Sequence, residues 1–243
     1  VKVVVVGGGV SGRAIRDALM ERGASVELLS RSTGFDVLRD DAAARIDGAD
    51  AVVEATGRFT TSRKRATAFF TGSTRAISAA ARAADAKHVL LSIVNCELPE
   101  VQGYGYFAGK AAQERLARAV STDIAIVRTT QWFEFAQQTL ERMGAGPIAL
   151  VPRMLIQPVA LNAVAQVVAD VAVGRRGGGM IDLSGPERIT LGEMARRVRP
   201  TRRIRLPLAL PGATWNAINE GALLPADNVE KVGPAFAEWL RTS

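Results

Sequence analysis

Through the first two thirds of the chain, apolar runs of strand length alternate with segments whose apolar residues recur at helical spacing. The pattern predicts strands at 2–6, 25–29, 35–38, 51–54, 88–91 and 123–127. Between them it predicts helices at 13–22, 41–46, roughly 73–84 and roughly 107–119. Uninterrupted runs such as Val3-Val4-Val5-Val6 belong to strands covered on both faces, so the expected class is α/β, a Rossmann-type doubly wound parallel sheet. After Val127 the alternation loosens into a helix at 161–173, a strand at 180–183 and a helix at 190–198, where Thr190 and Glu193 form a capping-box pattern. A tail carrying Pro200, Pro207, Pro211 and Pro225 leads to a last helix opened by Pro234, with Phe236, Trp239 and Leu240 on one side. We read residues 1–134 as the sheet domain and 135–243 as a smaller, partly irregular lid, with 155–184 packing back on the sheet.

The first apolar strand runs straight into Gly7-Gly8-Gly9-Val10-Ser11-Gly12, glycines spaced GxGxxG ahead of an amphipathic helix. Gly7 permits the sharp turn, Gly9 leaves room for a pyrophosphate beside the backbone, and Gly12 lets helix and strand approach. The phosphates then meet the positive end of the helix, with Gly7, Gly9, Val10, Ser11 and Gly12 as the binding turn. The second strand ends in Ser30-Arg31-Ser32. A guanidinium there accommodates a ribose 2′-phosphate, so NADP(H) is preferred, while Asp36 keeps NAD(H) open and Glu27 lies too early to hold the ribose. Arg31 also reads as one more exposed arginine in an arginine-rich chain. Thr56 and Gly57, ending the fourth strand, place small residues beside the glycine turn, although an ordinary strand-ending turn has the same composition.

With 243 residues, 48% of them hydrophobic, the chain is long enough to bury a sizeable core, and it is neither fibrous nor disordered. No apolar run approaches the roughly 20 residues of a membrane span, so a cytoplasmic protein without membrane contact is expected. The single cysteine, Cys96, excludes an internal disulfide framework, and the single histidine, His88, argues against histidine-based metal sites and a Ser/His/Asp triad. The net charge of +7 favours anionic ligands. Arg196, Arg197, Arg199, Arg202, Arg203 and Arg205 cluster, but no aromatic residue interleaves with them. A solvated helix end and loop is preferred over a nucleic-acid patch, and the expected partner is a small-molecule substrate.

The candidate chemistry lies in Tyr106-Phe107-Ala108-Gly109-Lys110, a tyrosine and a lysine four apart at a helix start and therefore on one face. An ammonium one turn away is expected to favour phenolate and bring the phenol nearer its working range. Ser92, fourteen residues before Tyr106, ends an apolar strand and is placed to polarise a carbonyl oxygen. Gln131, Trp132, Phe133 and Phe135 follow the sixth strand, where an aromatic wall suits a flat, apolar carbonyl compound. Core packing explains these aromatics as well.

The ordered set GGGVSG, Arg31, DAVVEATG, HVLLSIV, YFAGKAAQERL and AIVRTTQWFEF resembles the short-chain dehydrogenase/reductase superfamily, and most closely its atypical NmrA-like branch of NAD(P)-binding oxidoreductases. The resemblance continues into LIQPVALNAVAQVVADV and MIDLSGPERITLGEMARRV. It implies a cofactor held by the glycine turn, Ser30, Arg31, Ser32, Thr56, Gly57, Lys110 and Thr130. It further implies a catalytic set of Ser92, Tyr106 and Lys110, with Thr129, Thr130, Gln131 and Trp132 flanking nicotinamide and substrate. A lone serine followed by Ile93 departs from the family's serine motif. Many members of the branch have lost or repurposed the tyrosine and act as cofactor sensors. Three functions follow: an NADP(H)-dependent oxidoreductase acting on a small apolar carbonyl or quinone-like substrate, a catalytically silent NADP(H)-binding sensor, and a nucleotide-sugar epimerase-like enzyme.

Overall fold

The computed structural model describes residues 1–121, 123–198 and 203–242. The strands are β1 (Lys2–Val6), β2 (Ser25–Leu29), β3 (Ala51–Glu54), β4 (Lys87–Ile93), β5 (Ala125–Thr129), β6 (Gly144–Ala145), β7 (Ile148–Pro152), β8 (Leu155–Ile156), β9 (Met180–Ser184), β10 (Ile189–Thr190), β11 (Ile204–Leu208) and β12 (Glu230–Lys231). The helices are α1 (Val10–Glu21), α2 (Ala42–Ile46), α3 (Arg63–Ala83), α4 (Gly105–Val120), α5 (Glu134–Arg142), α6 (Leu161–Ala172), α7 (Leu191–Arg197), α8 (Ala213–Glu220) and α9 (Phe236–Thr242).

Seven parallel strands form the main sheet in the order β12-β9-β5-β4-β3-β1-β2. Val3 and Val5 of β1, Val89 and Leu91 of β4 and Val127 of β5 pack against α1 and α6. On the opposite face Val4, Val6 and Val52 meet α2 and α3, while Leu90 and Ile126 meet Ala117 of α4. Both faces are thereby covered, as the uniformly apolar strands require. From β1 the chain crosses one way to β2 and then back past β1 to β3, so the order reverses at the β1/β3 edge, where α/β sheets bind ligands. α6 packs against α1 and β9 extends the sheet beside β5, whereas β8 pairs with β10 apart from the main sheet.

The expected strand at 35–38 is absent. Asp36 Oδ1 accepts from Leu38 N, and Asp40 Oδ2 accepts from Asp36 N at 2.6 Å, folding the segment into a turn. Phe35 and Val37 are buried all the same, as plugs under β2. α3 begins ten residues before its expected start, behind the N-cap Ser62, because an arginine-rich exposed face hides its apolar stripe. β5 is shifted two residues toward Thr129, and the capping box at Thr190 and Glu193 is present.

The β1–α1 junction is the tightest point of the sheet. Gly7 has φ +130°, and a Cβ on Gly12 would lie 1.6 Å from the Gly7 carbonyl oxygen. The helix docks on the strand only because both positions lack side chains. Gly12→Ala is therefore expected to destabilise the fold by about 3 kcal/mol, lowering Tm by on the order of 10 °C in thermal unfolding. An unchanged Tm would show that the junction is looser than this packing implies.

Candidate functional site

One cavity of about 1440 Å³ runs along the C-terminal ends of the central strands. It exceeds the roughly 300–1,000 Å³ that encloses a single drug-sized ligand, so it has room for a dinucleotide and a second molecule. Gly7, Gly8, Gly9, Val10 and Ser11 line it beside Ser30, Arg31 and Ser32, then Thr56, Gly57, Ser92, Tyr106, Lys110, Thr129, Thr130, Gln131 and Trp132. The sequence thus assigned to one site residues that the fold does gather around one space. Gly12 stands apart, against Gly7.

At the glycine end, Gly8 faces Ser30, whose Oγ lies 2.8 Å from Ser32 Oγ, and Arg13 Nη1 donates to Gly8 O at 2.6 Å. Arg31 is exposed, with no ion pair among the described residues. Gly9 caps α1 with an extended backbone, φ −72° and ψ −172°, and donates no side-chain bond to the helix. A Cβ on Gly9 would meet no protein atom within 4 Å. Nothing in the protein itself calls for glycine there. The residues therefore fit a group that comes close to this backbone, and the open N–H groups of α1 suit an anion.

Tyr106 and Lys110 share a face of α4, and Phe70 of α3 touches both. The Tyr106 ring meets Phe70 edge-on at 5.4 Å, and Lys110 Nζ sits 4.9 Å from the centroid of the same ring. The ammonium donates to Leu91 O at 2.8 Å and to Gln113 Oε1 at 2.5 Å. Its third proton has no acceptor among the described residues. Burial pushes Lys110 below the ordinary lysine value, against the charges of Glu54, Cys96 and Glu114. The Tyr106 phenol moves opposite to the sequence expectation: burial and neighbouring Tyr104 push it up to about 12, with only Arg142 pulling it down. Its hydroxyl makes no hydrogen bond among the described residues and lies 3.9 Å from where a Gly57 Cβ would be. A neutral phenol beside the cavity is a proton donor.

Ser92 is buried and lines the cavity, yet its hydroxyl is engaged elsewhere, bonding Glu114 and lying 4.0 Å from Cys96 Sγ. Thr130 lines the cavity while its hydroxyl donates to Gln157 O at 2.6 Å. Phe133 is corrected: it is fully buried, away from the cavity, and packs on Phe236 and Trp239 at 5.1 and 5.3 Å. The turn that starts α5 directs Phe133 inward, leaving Gln131, Trp132 and Phe135 on the cavity side. Gln131 Oε1 and Trp132 Nε1 are buried without hydrogen-bond partners among the described residues, polar positions open to a ligand. Of the arginine cluster, Arg199 and Arg202 lie outside the described residues, and Arg203 is spent on Leu140 O and Gly146 O.

The sequence reading missed the buried polar network behind the site. Glu54, at the end of β3, accepts from Ser73, Thr74 and Gln113, each at 2.8–2.9 Å, and lies 3.2 Å from His88 Nε2. Burial raises its carboxyl, but the hydrogen bond and charge of His88, with Lys110 and Ser73, outweigh this and hold it below the usual value. Gln113 links Glu54 to Lys110, fixing the ammonium. Ser78, His88 and Glu54 also line up in a chain, with Ser78 Oγ 3.2 Å from His88 Nδ1, but all are buried away from the cavity and offer no nucleophile. A second network joins Arg128, Glu114 and Glu97. The signal was available as Glu54 and Gln113 in otherwise apolar or small settings, but partners nineteen to fifty-nine residues apart carry no local spacing. No cluster of potential metal ligands occurs among the described residues, and none of their helices is long and apolar enough to cross a membrane.

No family model matches the sequence, and no curated protein matches it either. Solved structures do match. dTDP-4-dehydrorhamnose reductase from Bacillus anthracis, in complex with NADP, superposes with TM-score 0.74 at 14% identity over 98% of this chain and 96% of that one. NADPH-dependent quinone oxidoreductase from Escherichia coli, complexed with NADPH, gives TM-score 0.71 at 13% identity over 99% of both chains. UDP-N-acetylglucosamine 4-epimerase from Bacillus cereus gives 0.68 at 16% over 100% and 94%. The chain has the Rossmann-type α/β fold of these enzymes.

The phenols provide a direct check of the site's electrostatics, since Tyr104 and Tyr106 are the two tyrosines of the chain and burial raises both. At pH 10.0, the ordinary midpoint of a phenol, the native protein is expected to show far less phenolate absorbance than the unfolded chain. Equal absorbance in the two states would contradict the buried, neutral Tyr106.

Proposed function

We propose that the protein is an NADP(H)-dependent oxidoreductase for a small, flat carbonyl or quinone-like compound. The observation that carries this reading is Gly9, a glycine that no protein contact requires, at the open end of α1 and on the wall of a cavity with room for two ligands. Gly7, Gly8, Gly9, Val10 and Ser11 would receive the diphosphate, Arg31 with Ser30 and Ser32 the 2′-phosphate, and Thr56 and Gly57 the adjoining ribose. Bound there, the nicotinamide nucleotide supplies or accepts a hydride.

The chain's own residues supply the rest. Tyr106, held neutral by burial, gives its proton to the carbonyl oxygen, so the site is built for reduction at ordinary pH. Lys110, fixed by Leu91 O and Gln113, keeps one proton for the cofactor ribose, while Arg142 supplies the charge that eases formation of the phenolate left behind. Ser92 is a weaker candidate for the oxygen, since its hydroxyl already serves Glu114. Tyr104, Trp132, Phe135 and Trp215 exclude water and suit a flat apolar substrate.

The commitment of Lys110 to Leu91 O and Gln113, with no influence on the Tyr106 phenol, favours a second reading, a silent NADP(H) sensor. NADPH oxidation measured against quinones, aldehydes and enones separates the two. Oxidation of a panel compound is expected, and Tyr106→Phe should keep NADPH affinity within about twofold while slowing turnover by about 10²-fold or more. A variant as fast as the wild type would remove the proton-donor role, and tight binding with no consumption would establish the sensor.

A further inference from the structure

One exposed contact on the cavity wall joins two separate segments. Arg142, at the last turn of α5, places its guanidinium 5.1 Å from the ring centroid of Phe59, in the segment between β3 and α3. Both residues line the cavity, as do Phe69, Tyr104, Tyr106 and Phe135. Arg142 has no carboxylate partner among the described residues, whereas Arg22, Arg128 and Arg176 are each paired. The acids of its own helix do not meet it: Glu141 accepts from Gln137, and Glu134 is buried at the other end. Its charge is nevertheless felt at the site, pulling against the rise of both the Tyr104 and Tyr106 phenols. An unpaired guanidinium laid over an aromatic ring keeps its outward N–H groups for an acceptor.

Resting on the oxidoreductase reading above, we infer that Arg142 anchors a carboxylate on the substrate, so that within the carbonyl class an aromatic carbonyl acid is preferred to its neutral counterpart. The carbonyl end lies at Tyr106, the ring lies among Tyr104, Trp132 and Phe135, and the carboxylate reaches the Arg142–Phe59 clasp. The two ends are read by opposite chemistry. The inner end offers a proton and the outer end a fixed positive charge. Because Arg142 is exposed, solvent screens its charge, and the selectivity it confers is about tenfold, well short of a buried pair.

Equilibrium binding tests this apart from turnover. The probes are 4-carboxybenzaldehyde and its neutral methyl ester, titrated by tryptophan fluorescence into the protein alone and into the protein with NADP+, which has no hydride to give the carbonyl. The acid is expected to bind about tenfold more tightly than the ester, with the gap narrowing as salt is raised. Arg142→Met should abolish the gap by weakening only the acid, Arg142→Lys should keep part of it, and Phe59→Leu, which removes the ring but not the charge, should preserve it. Equal affinities in the wild type, or an Arg142→Met variant that weakens acid and ester alike, would overturn the anchor. Failure of NADP+ to bind would count against the oxidoreductase reading alone, since the titration of the protein by itself still reads Arg142.

Discussion

The contact of α1 with the Gly7 carbonyl organises the molecule. A side chain at position 12 would occupy the space of that oxygen, and one at Gly7 would lie 2.3 Å from Ala55 O. With neither present, the helix settles against β1, β3 ends level with the turn, and the strand ends open onto a common cavity. Gly9 differs in kind. It is free of both demands, and in the proposed reading its small size leaves the open end of α1 accessible to a diphosphate.

Behind that opening the protein buries charge, and the cost is met by dense hydrogen bonding. Glu54 takes donors from α3 and α4 at once, and Gln113 passes its position on to Lys110, while Arg128 and Glu114 tie β5 to α4. Breaking one partner would leave an uncompensated charge in the interior, so these networks hold α3 and α4 to the sheet in one arrangement. The rigidity is functional in the proposed reading: a lysine with two of its protons committed points the third one way. The aromatic contacts among Phe70, Tyr106 and Phe107 hold the phenol at the wall by the same logic, with shape replacing charge.

Much of this was legible in the sequence because it is local. The four valines of β1, the tight glycine turn and the Thr190–Glu193 box are each decided within a few residues, and each stands as expected. What sequence could not resolve depends on contacts distant in the chain or on competition between two local rules. At 35–38 apolar alternation pointed to a strand, but the Asp36 and Asp40 carboxylates captured the backbone first. Phe133 and Phe135 look equivalent in sequence, and only the docking of α9 draws Phe133 inward. The shift of Tyr106 was misjudged for the same reason, since adjacency to Lys110 was readable whereas the burial of the phenol and the direction of the ammonium toward Leu91 O and Gln113 were not. Ser92 was placed correctly at the cavity, but its bond to Glu114 needed the fold.

The most direct test of the central claim, that the turn after β1 exists to receive a dinucleotide, is a titration of NADPH and NADH followed by cofactor fluorescence on the wild type and on Gly9→Val. The account predicts saturable binding of NADPH that is stronger than that of NADH, and a Gly9→Val protein that unfolds at the wild-type temperature but has lost the nucleotide. Absence of binding by either nucleotide at millimolar concentration, or a Gly9→Val protein that binds NADPH as well as the wild type, would contradict it.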